Sequence, residues 1–237
     1  AALCARISET PPTDVTPKRP DLANAVAAAL DGMVLPTGSV RVTRRGDVAE
    51  WPGYGDGDWW VQDAAATLPA RLLAVAPGET ALDMCAAPGG KTLQLAAAGA
   101  VVTAVDRSAR RLERVADNLA RTRLDAERVT ADVTRFGDDG RTFDAVLLDA
   151  PCSATGTFRR HPDVLWGARP ADIAKLADVQ SRMLDAAARL TRPGGRLAYS
   201  VCSLEPEEGE MQIAELLKAD NRVKRSPFNR TDMAHLG

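Results

Sequence analysis

The stretch Thr80-Ala81-Leu82-Asp83-Met84-Cys85-Ala86-Ala87-Pro88-Gly89-Gly90-Lys91-Thr92 decides how the chain folds. The apolar run Thr80 to Met84 predicts a short strand, the Gly-Pro-rich segment behind it a tight turn, and the residues from about Thr92 a helix. Paired glycines let the backbone approach a ligand closely, and the first turn of the helix offers free N–H groups to it. Gly-Gly-Lys-Thr invites comparison with a phosphate loop, but the first glycine of that motif falls here on Cys85, which disfavours a nucleotide triphosphatase. The absence of G-x-G-x-x-G argues against a dinucleotide and leaves room for a smaller adenosine ligand.

Outward from this loop the pattern alternates. Strands are expected at Val101 to Val105, Arg128 to Ala131, Ala145 to Leu148 and Arg196 to Val201. Between them lie helical runs such as Ala109 to Thr122 and Ile173 to Leu190, and an amphipathic stretch, Ala64 to Val75, precedes the first strand. Such alternation predicts an α/β fold with a doubly wound parallel sheet, whose ligands bind beyond the carboxyl ends of the strands. Asp106, Asp132 and Asp149 stand at or just after three successive strand ends. An acid about 20 residues beyond a glycine loop is where such folds hold ribose hydroxyls, although Asp106 could equally cap the following helix. Convergence of three carboxylates on one crevice is hard to assign to capping alone.

Residues 1–63 are richer in Pro and Gly, with one helical run at Leu22 to Leu30 and a strand expected at Ser39 to Thr43. They are read as a small α/β appendage to a main domain at 64–237. The 237 residues are ample for one sizeable core. With 45% hydrophobic and 26% charged residues the composition is that of a globular protein, not a disordered one. No apolar run reaches the roughly 20 residues that cross a bilayer, and the first 20 residues lack a signal's apolar centre, so a cytoplasmic, non-membrane, monomeric protein is expected. The net charge of −2 neither supports nor excludes a nucleic-acid partner, though Arg107, Arg110 and Arg111, and Arg159 and Arg160, make local basic clusters. The four cysteines, Cys4, Cys85, Cys152 and Cys202, include no CxxC pair, so neither a metal site nor a disulfide framework is expected.

Three motifs carry a family resemblance: Leu82 to Thr92, Asp149-Ala150-Pro151-Cys152-Ser153-Ala154-Thr155-Gly156, and Tyr199-Ser200-Val201-Cys202-Ser203. Together with Val61-Gln62-Asp63, Arg159-Arg160-His161-Pro162-Asp163 and Glu205-Pro206-Glu207-Glu208, they resemble the RsmB/Sun (Fmu) family of RNA 5-cytosine methyltransferases over most of residues 60 to 217. The resemblance is nearest to the bacterial enzymes of small-subunit ribosomal RNA. It implies a Rossmann-like class I methyltransferase sheet, S-adenosylmethionine as cofactor and RNA as partner. By the same resemblance the loop Cys85, Ala86, Ala87, Pro88, Gly89, Gly90 and Lys91 takes the methionine and ribose portions of the cofactor. Asp106 then takes the ribose hydroxyls, Asp132 lies near the adenine and Asp149 near the methyl donor.

Methylating C5 of cytosine needs a thiolate, because C5 is a weak nucleophile until a sulfur has added to C6. Either cysteine alone would ordinarily be a small buried residue; that Cys152, after the fourth strand, and Cys202, at the end of the fifth, both stand in motifs that resemble the family's catalytic ones suggests otherwise. Spacing does not tell which one attacks, since Cys152 has the Pro-Cys context of the DNA cytosine methyltransferases. The resemblance implies that Cys202 attacks and that Cys152 assists release of the product. Asp149 is expected to hydrogen-bond the cytosine ring, unless it caps Ser153 or Thr155 instead. Lys91 is expected to orient the base or Asp149, with an exposed helix-start lysine as the plain alternative. Asp83 is read as a brace for the loop, Arg111 as a solvated helix residue, and His161 as part of a loop-stapling or substrate-facing segment.

Rival functions are the same chemistry on transfer RNA or DNA, a non-catalytic RNA-binding or ribosome-assembly module, and a thiol hydrolase pairing Cys202 with His161. The last leaves the glycine loop unexplained. The chain departs from the family at both ends. Its first 63 residues match only part of the usual RNA-binding appendage, and no Asp-Gly-Phe-Phe-like segment closes the sheet before Gly237. An unpaired sheet edge is the expected consequence.

Overall fold

The computed structural model describes residues 11–226. Short strands β1 (Thr13–Pro17), β2 (Met33–Val34), β3 (Val40–Val42) and β4 (Trp59–Val61) form an antiparallel sheet in the order β2-β3-β1-β4. Helix α1 (Ala23–Leu30) covers it, with Leu30, Val15, Val40 and Trp59 completely buried between them. Only β3 answers a strand expected from the sequence. β1 runs into Pro17 and the others span three residues or fewer, too few to show alternation.

The amphipathic stretch Ala64 to Val75 is not one helix. It is a 3-10 turn at Ala65–Thr67 followed by α2 (Leu68–Leu72), with Pro69 in the first turn. A proline there lacks the N–H that a continuing helix would use, so the run restarts.

Then come β5 (Thr80–Met84), α3 (Gly90–Ala97), β6 (Val101–Asp106), α4 (Ala109–Thr122), β7 (Glu127–Thr130) and β8 (Phe143–Asp149). Two helices, α5 (Val164–Gly167) and α6 (Pro170–Leu190), lead to β9 (Thr191–Ser200) and the last helix, α7 (Glu210–Ala219). The five strands pair in parallel, in the order β7-β6-β5-β8-β9. This is the doubly wound arrangement expected from the alternation. Ala145 to Leu148 are completely buried, as a parallel strand covered on both faces must be. Each such leucine contributes about 1.5–3 kcal/mol by leaving water. On one face α6 packs Leu184, Ala187 and Leu190 against Leu82, Val146 and Leu148. α4 buries Leu112, Val115 and Leu119, one stripe at helical spacing, beside the glycine loop.

The order locates the ligand crevice. The chain winds from β5 through β6 to β7 on one side and returns to β8 and β9 on the other, so the loops after β5 and β8 diverge at the switch point. Beyond the carboxyl ends there lie Cys85 to Gly89 and Pro151 to Thr155. Gly89 turns into α3 with φ of +107°, and a Cβ on it would sit 3.3 Å from the Val115 side chain, so both conformation and space require glycine. β9 is at a sheet edge among the described residues.

The two sheets are joined by specific bonds. Arg121 of α4 donates to the carbonyls of Tyr54 (2.8 Å) and Trp59 (3.0 Å), and its guanidinium lies 4.0 Å from the Tyr54 ring centre. Asp14, buried on β1, is held by two bonds from Arg41 of the neighbouring β3 and accepts one from the backbone N–H of Ala64, at the start of the second unit.

Candidate active site

Lys91 stands in the first turn of α3 and reaches across the crevice to Asp149, with Nζ 2.7 Å from Oδ2. Its side chain is only 14% exposed, so the alternative of a solvated helix-start lysine is not what the structure shows. The other oxygen of Asp149 accepts from Ser200 Oγ at 2.8 Å. Ser153 and Thr155 are not its partners; Asp149 joins the glycine loop to the ends of β8 and β9.

Past these strand ends the two cysteines meet. Cys152 Sγ and Cys202 Sγ are 3.4 Å apart, and the backbone N–H of Gly156 donates to the Cys202 carbonyl at 3.0 Å. The contact splits their acidities. The hydrogen bond from Cys152, aided by Lys91, lowers the pKa of Cys202 to about 7 against burial and the Asp149 charge. Cys152, which gives that bond and is itself partly buried, is held far above the usual thiol range. Cys202 is exposed and Cys152 half-buried. Cys85 has another character: it sits at φ of +63° in the loop, and burial, with Asp106 nearby, pushes its thiol up to about 12. Cys4 lies outside the described residues.

A cleft of about 480 Å³ is lined by Asp83, Cys85 to Pro88, Gly90, Lys91 and Asp149, with Trp60 and Gln62 from the first sheet. Asp83 is buried at the end of β5. Thr92 Oγ1 donates to its Oδ2 at 2.6 Å, and Oδ1 has no hydrogen-bond partner. Burial raises its pKa to about 7, against the pull of Thr92 and Lys91.

Asp106 and Asp132 lie outside this lining. Asp106 accepts from the N–H groups of Ser108 (3.0 Å) and Ala87 (3.3 Å), while Ser108 caps α4. Asp132 is exposed and holds the turn behind β7 through the N–H and hydroxyl of Thr134.

The model for the family described as 16S rRNA methyltransferase RsmB/F matches residues 70–237. The chain belongs to this family. Among curated relatives, the ribosomal RNA small subunit methyltransferase B of Vibrio cholerae is 45% identical over 177 residues, which are 73% of this chain and 41% of that protein. The chain thus spans less than half the length of that relative. A methyltransferase homolog protein from Pyrococcus horikoshii superimposes with a TM-score of 0.76 at 29% identity, covering 90% of this chain and 72% of the other. NSun6 from the same organism, solved with SFG, an S-adenosylmethionine analogue, gives a TM-score of 0.68 at 30% identity over 76% of this chain and 48% of its own. The parallel sheet is accordingly the Rossmann-like sheet of S-adenosylmethionine-dependent methyltransferases.

Within this RsmB/F framework three residues make contacts that the local sequence does not specify. Arg111 is not simply a solvated helix residue: its Nη2 donates to the Ala87 carbonyl at 2.7 Å and its Nη1 lies 3.2 Å from Asp106 Oδ2, so it pins the glycine loop. Arg160, in the segment read as loop-stapling, pairs with Asp63 at 2.9 Å. Glu208 is completely buried behind the cysteines. Ala87, Asp63 and Ser153, to which the three bond, lie 24, 97 and 55 residues away in sequence, which hides those contacts from any reading of neighbours. Among the described residues no helix is long and apolar enough to cross a membrane, and no group of three or more His, Cys, Asp or Glu is disposed to hold a metal ion.

Proposed function

We propose that this chain transfers a methyl group from S-adenosylmethionine to C5 of a cytosine in RNA, namely small-subunit ribosomal RNA, through a covalent bond between Cys202 and C6. The observation that carries the reading is the pair of thiols 3.4 Å apart beside the Lys91–Asp149 pair, in a chain of the RsmB/F family.

The residues of the crevice suit the donor. The cleft has the volume of an ordinary small-ligand site, and Asp83 Oδ1, buried and unpartnered on its lining, suits an ammonium or hydroxyl donor. Cys85 to Lys91 would hold the methionine and ribose portions, Asp106 the ribose hydroxyls and Asp132 the adenine edge. A carboxylate has about four lone-pair sites, so Asp106 can accept further bonds besides those it already has. When bound, S-adenosylmethionine supplies an electrophilic methyl group on its sulfonium.

Cys202 adds to C6 of the cytosine: the Sγ–C6 bond forms and the C5=C6 electron pair shifts onto C5 and N3. Asp149, held by Lys91 and Ser200, supports that charge at N3 and the amino group. C5, now enamine-like, would take the methyl carbon as its bond to the sulfonium breaks, the donor leaving as the neutral thioether. The C5 proton then passes to solvent water with Cys152 assisting as a relay, its C–H electron pair re-forms C5=C6, the C6–Sγ bond breaks, and Cys202 leaves as thiolate. Its depressed pKa favours Cys202 over Cys152 as the attacking group, since the thiolate is the reactive form. Residues 1–63 serve as the RNA-binding appendage, and the chain works as a cytoplasmic monomer without a metal.

The test uses labelled S-adenosylmethionine and small-subunit ribosomal RNA lacking the modification, followed by mapping of 5-methylcytosine. Cys202→Ala should abolish transfer, and Cys152→Ala should accumulate a protein–RNA adduct. Transfer by Cys202→Ala would refute the nucleophile assignment, and no transfer by the unaltered chain would favour the binding-module reading.

A further inference from the structure

The backbone pairing of β8 with β9 ends at Asp149 and Ser200. Beyond it only two backbone bonds among the described residues link the loops that carry the cysteines, Ala150 N–H to the Ser200 carbonyl (2.9 Å) and Gly156 N–H to the Cys202 carbonyl (3.0 Å). The remaining ties are side chains. Ser153, next to Cys152, has its Oγ 3.1 Å from Oγ of Ser203, next to Cys202. Ser203 Oγ is also 3.3 Å from Thr155 Oγ1.

This serine bridge is anchored by one carboxylate. Glu208 accepts from the Ser153 N–H at 2.9 Å, from the Ser153 hydroxyl, and from Gln180 Nε2 at 3.1 Å. Gln180, buried in α6, donates from the same nitrogen to the Pro151 carbonyl at 2.8 Å, and Tyr199 of β9 donates its hydroxyl to the Glu208 backbone carbonyl at 2.6 Å. All of the donors that reach Glu208 are uncharged. Burying an ionised carboxylate in such company is costly unless every bond is kept. A plain structural filler at this site would be apolar and would cost nothing in desolvation.

We infer that Glu208 is a positioning residue: its buried carboxylate locks Ser153, and through it Ser203, so that the Cys152 and Cys202 thiols are held in contact. It touches neither thiol and no substrate. The inference rests on the reading of these cysteines as the working pair, and its test therefore has a readout that needs no RNA and no methyl donor.

Glu208→Gln and Glu208→Ala are compared with the unaltered chain in the pH dependence of Cys202 alkylation by iodoacetamide, followed by mass spectrometry of the Cys202 peptide. Circular dichroism decides which variants are folded. If Glu208 sets the thiol contact, Cys202 loses the bond that favours its thiolate and its alkylation midpoint rises by about one pH unit, more in the Ala variant than in Gln, which keeps one acceptor oxygen. Methyl transfer should then fall about 10- to 100-fold in kcat with KM for RNA little changed, as a misplaced reacting group predicts. An unmoved midpoint in whichever variant folds overturns the inference, and Gln, nearly isosteric, is the variant to rely on if Ala unfolds. A chain that shows no transfer to RNA but whose midpoint moves in Glu208→Gln loses the cytosine reading and keeps the positioning role.

Discussion

The Sγ atoms of Cys152 and Cys202 are 3.4 Å apart although fifty residues separate them, and the contact makes the two thiols unequal. Cys152 is kept protonated and gives its hydrogen bond to Cys202, which is lowered to about 7. A group with a depressed pKa is charged above that value, so Cys202 should react with iodoacetamide at a rate that climbs through about pH 7. In Cys152→Ala the largest cause of the depression is gone. The midpoint should move up toward the ordinary thiol value of about 8.5. An unshifted profile in that variant would show that something other than Cys152 activates Cys202.

Lys91 and Asp149 form a second contact in the crevice, and its energetics predict non-additivity. The pair is partly exposed, so its direct contribution to stability is small, on the order of 1 kcal/mol or less after solvent screening. Its effect on turnover should be much larger. Asp149→Asn removes the charge proposed to support the cytosine ring and should lower methyl transfer about 100- to 1,000-fold. Lys91→Gln leaves the carboxylate but frees its orientation, and should cost about tenfold. If the main effect of Lys91 on turnover is to orient Asp149, the double variant should resemble Asp149→Asn alone. Multiplying losses in the kinetic double-mutant cycle would mean that the two residues act independently.

The sequence discloses local features and hides distant ones. The strand, glycine loop and helix start at 80–92 are legible because apolar run, breaker and cap follow one another in a dozen residues. Strand ends at Asp106 and Asp149 are legible for the same reason. The strand expected at Arg128 to Ala131 is β7, displaced by one residue to Glu127–Thr130, within the fraying of any strand end. β9 begins earlier than expected, at Thr191, with the pairing irregular between Phe143 and Ala145, and Pro193-Gly194-Gly195 disguises it. The contacts of Arg111 and Glu208 cannot be read: a charged residue on a helix, or in the turn before one, shows no sign that its partner is a loop carbonyl 24 residues away or a serine 55 residues away. The site's carboxylates and thiols are thus visible in the chain, whereas the bonds that aim them are products of the fold.

Asp83 predicts an unusual pH dependence of stability. Its carboxyl is buried and raised from 3.8 to about 7, so between those values the folded chain holds a proton that the unfolded chain has released. Stability should therefore decline as pH rises from about 4 to about 7 and level off above, by on the order of 4 kcal/mol from this group alone. Asp83→Asn, close in shape and still able to accept from Thr92, should remove the decline. The check is denaturant unfolding of both proteins at several pH values. Parallel curves for the two would show that Asp83 is already ionised in the folded chain at low pH and that its burial does not hold the proton.

Docking of the first sheet onto α4 gives the last prediction. Gly57 has φ of +75°, and a Cβ there would run into the Arg121 carbonyl oxygen and come within 2.7 Å of Thr122 Cα. Both neighbours are backbone of the helix end that also carries the Arg121 bonds to Tyr54 and Trp59, so neither can yield without breaking that joint. Gly57→Ala should destabilise the chain by roughly 2–4 kcal/mol, combining left-handed strain with a collision that a flexible side chain would have relieved. Gly55→Ala, two residues away with nothing within 4 Å of its Cβ position, is the control and should change stability by less than about 0.5 kcal/mol. Chemical denaturation of the three proteins separates the outcomes. Equal, small effects at both positions would mean that the 52–58 turn can move off α4 freely, and that the two sheets are not the rigid pair that the Arg121 bonds imply.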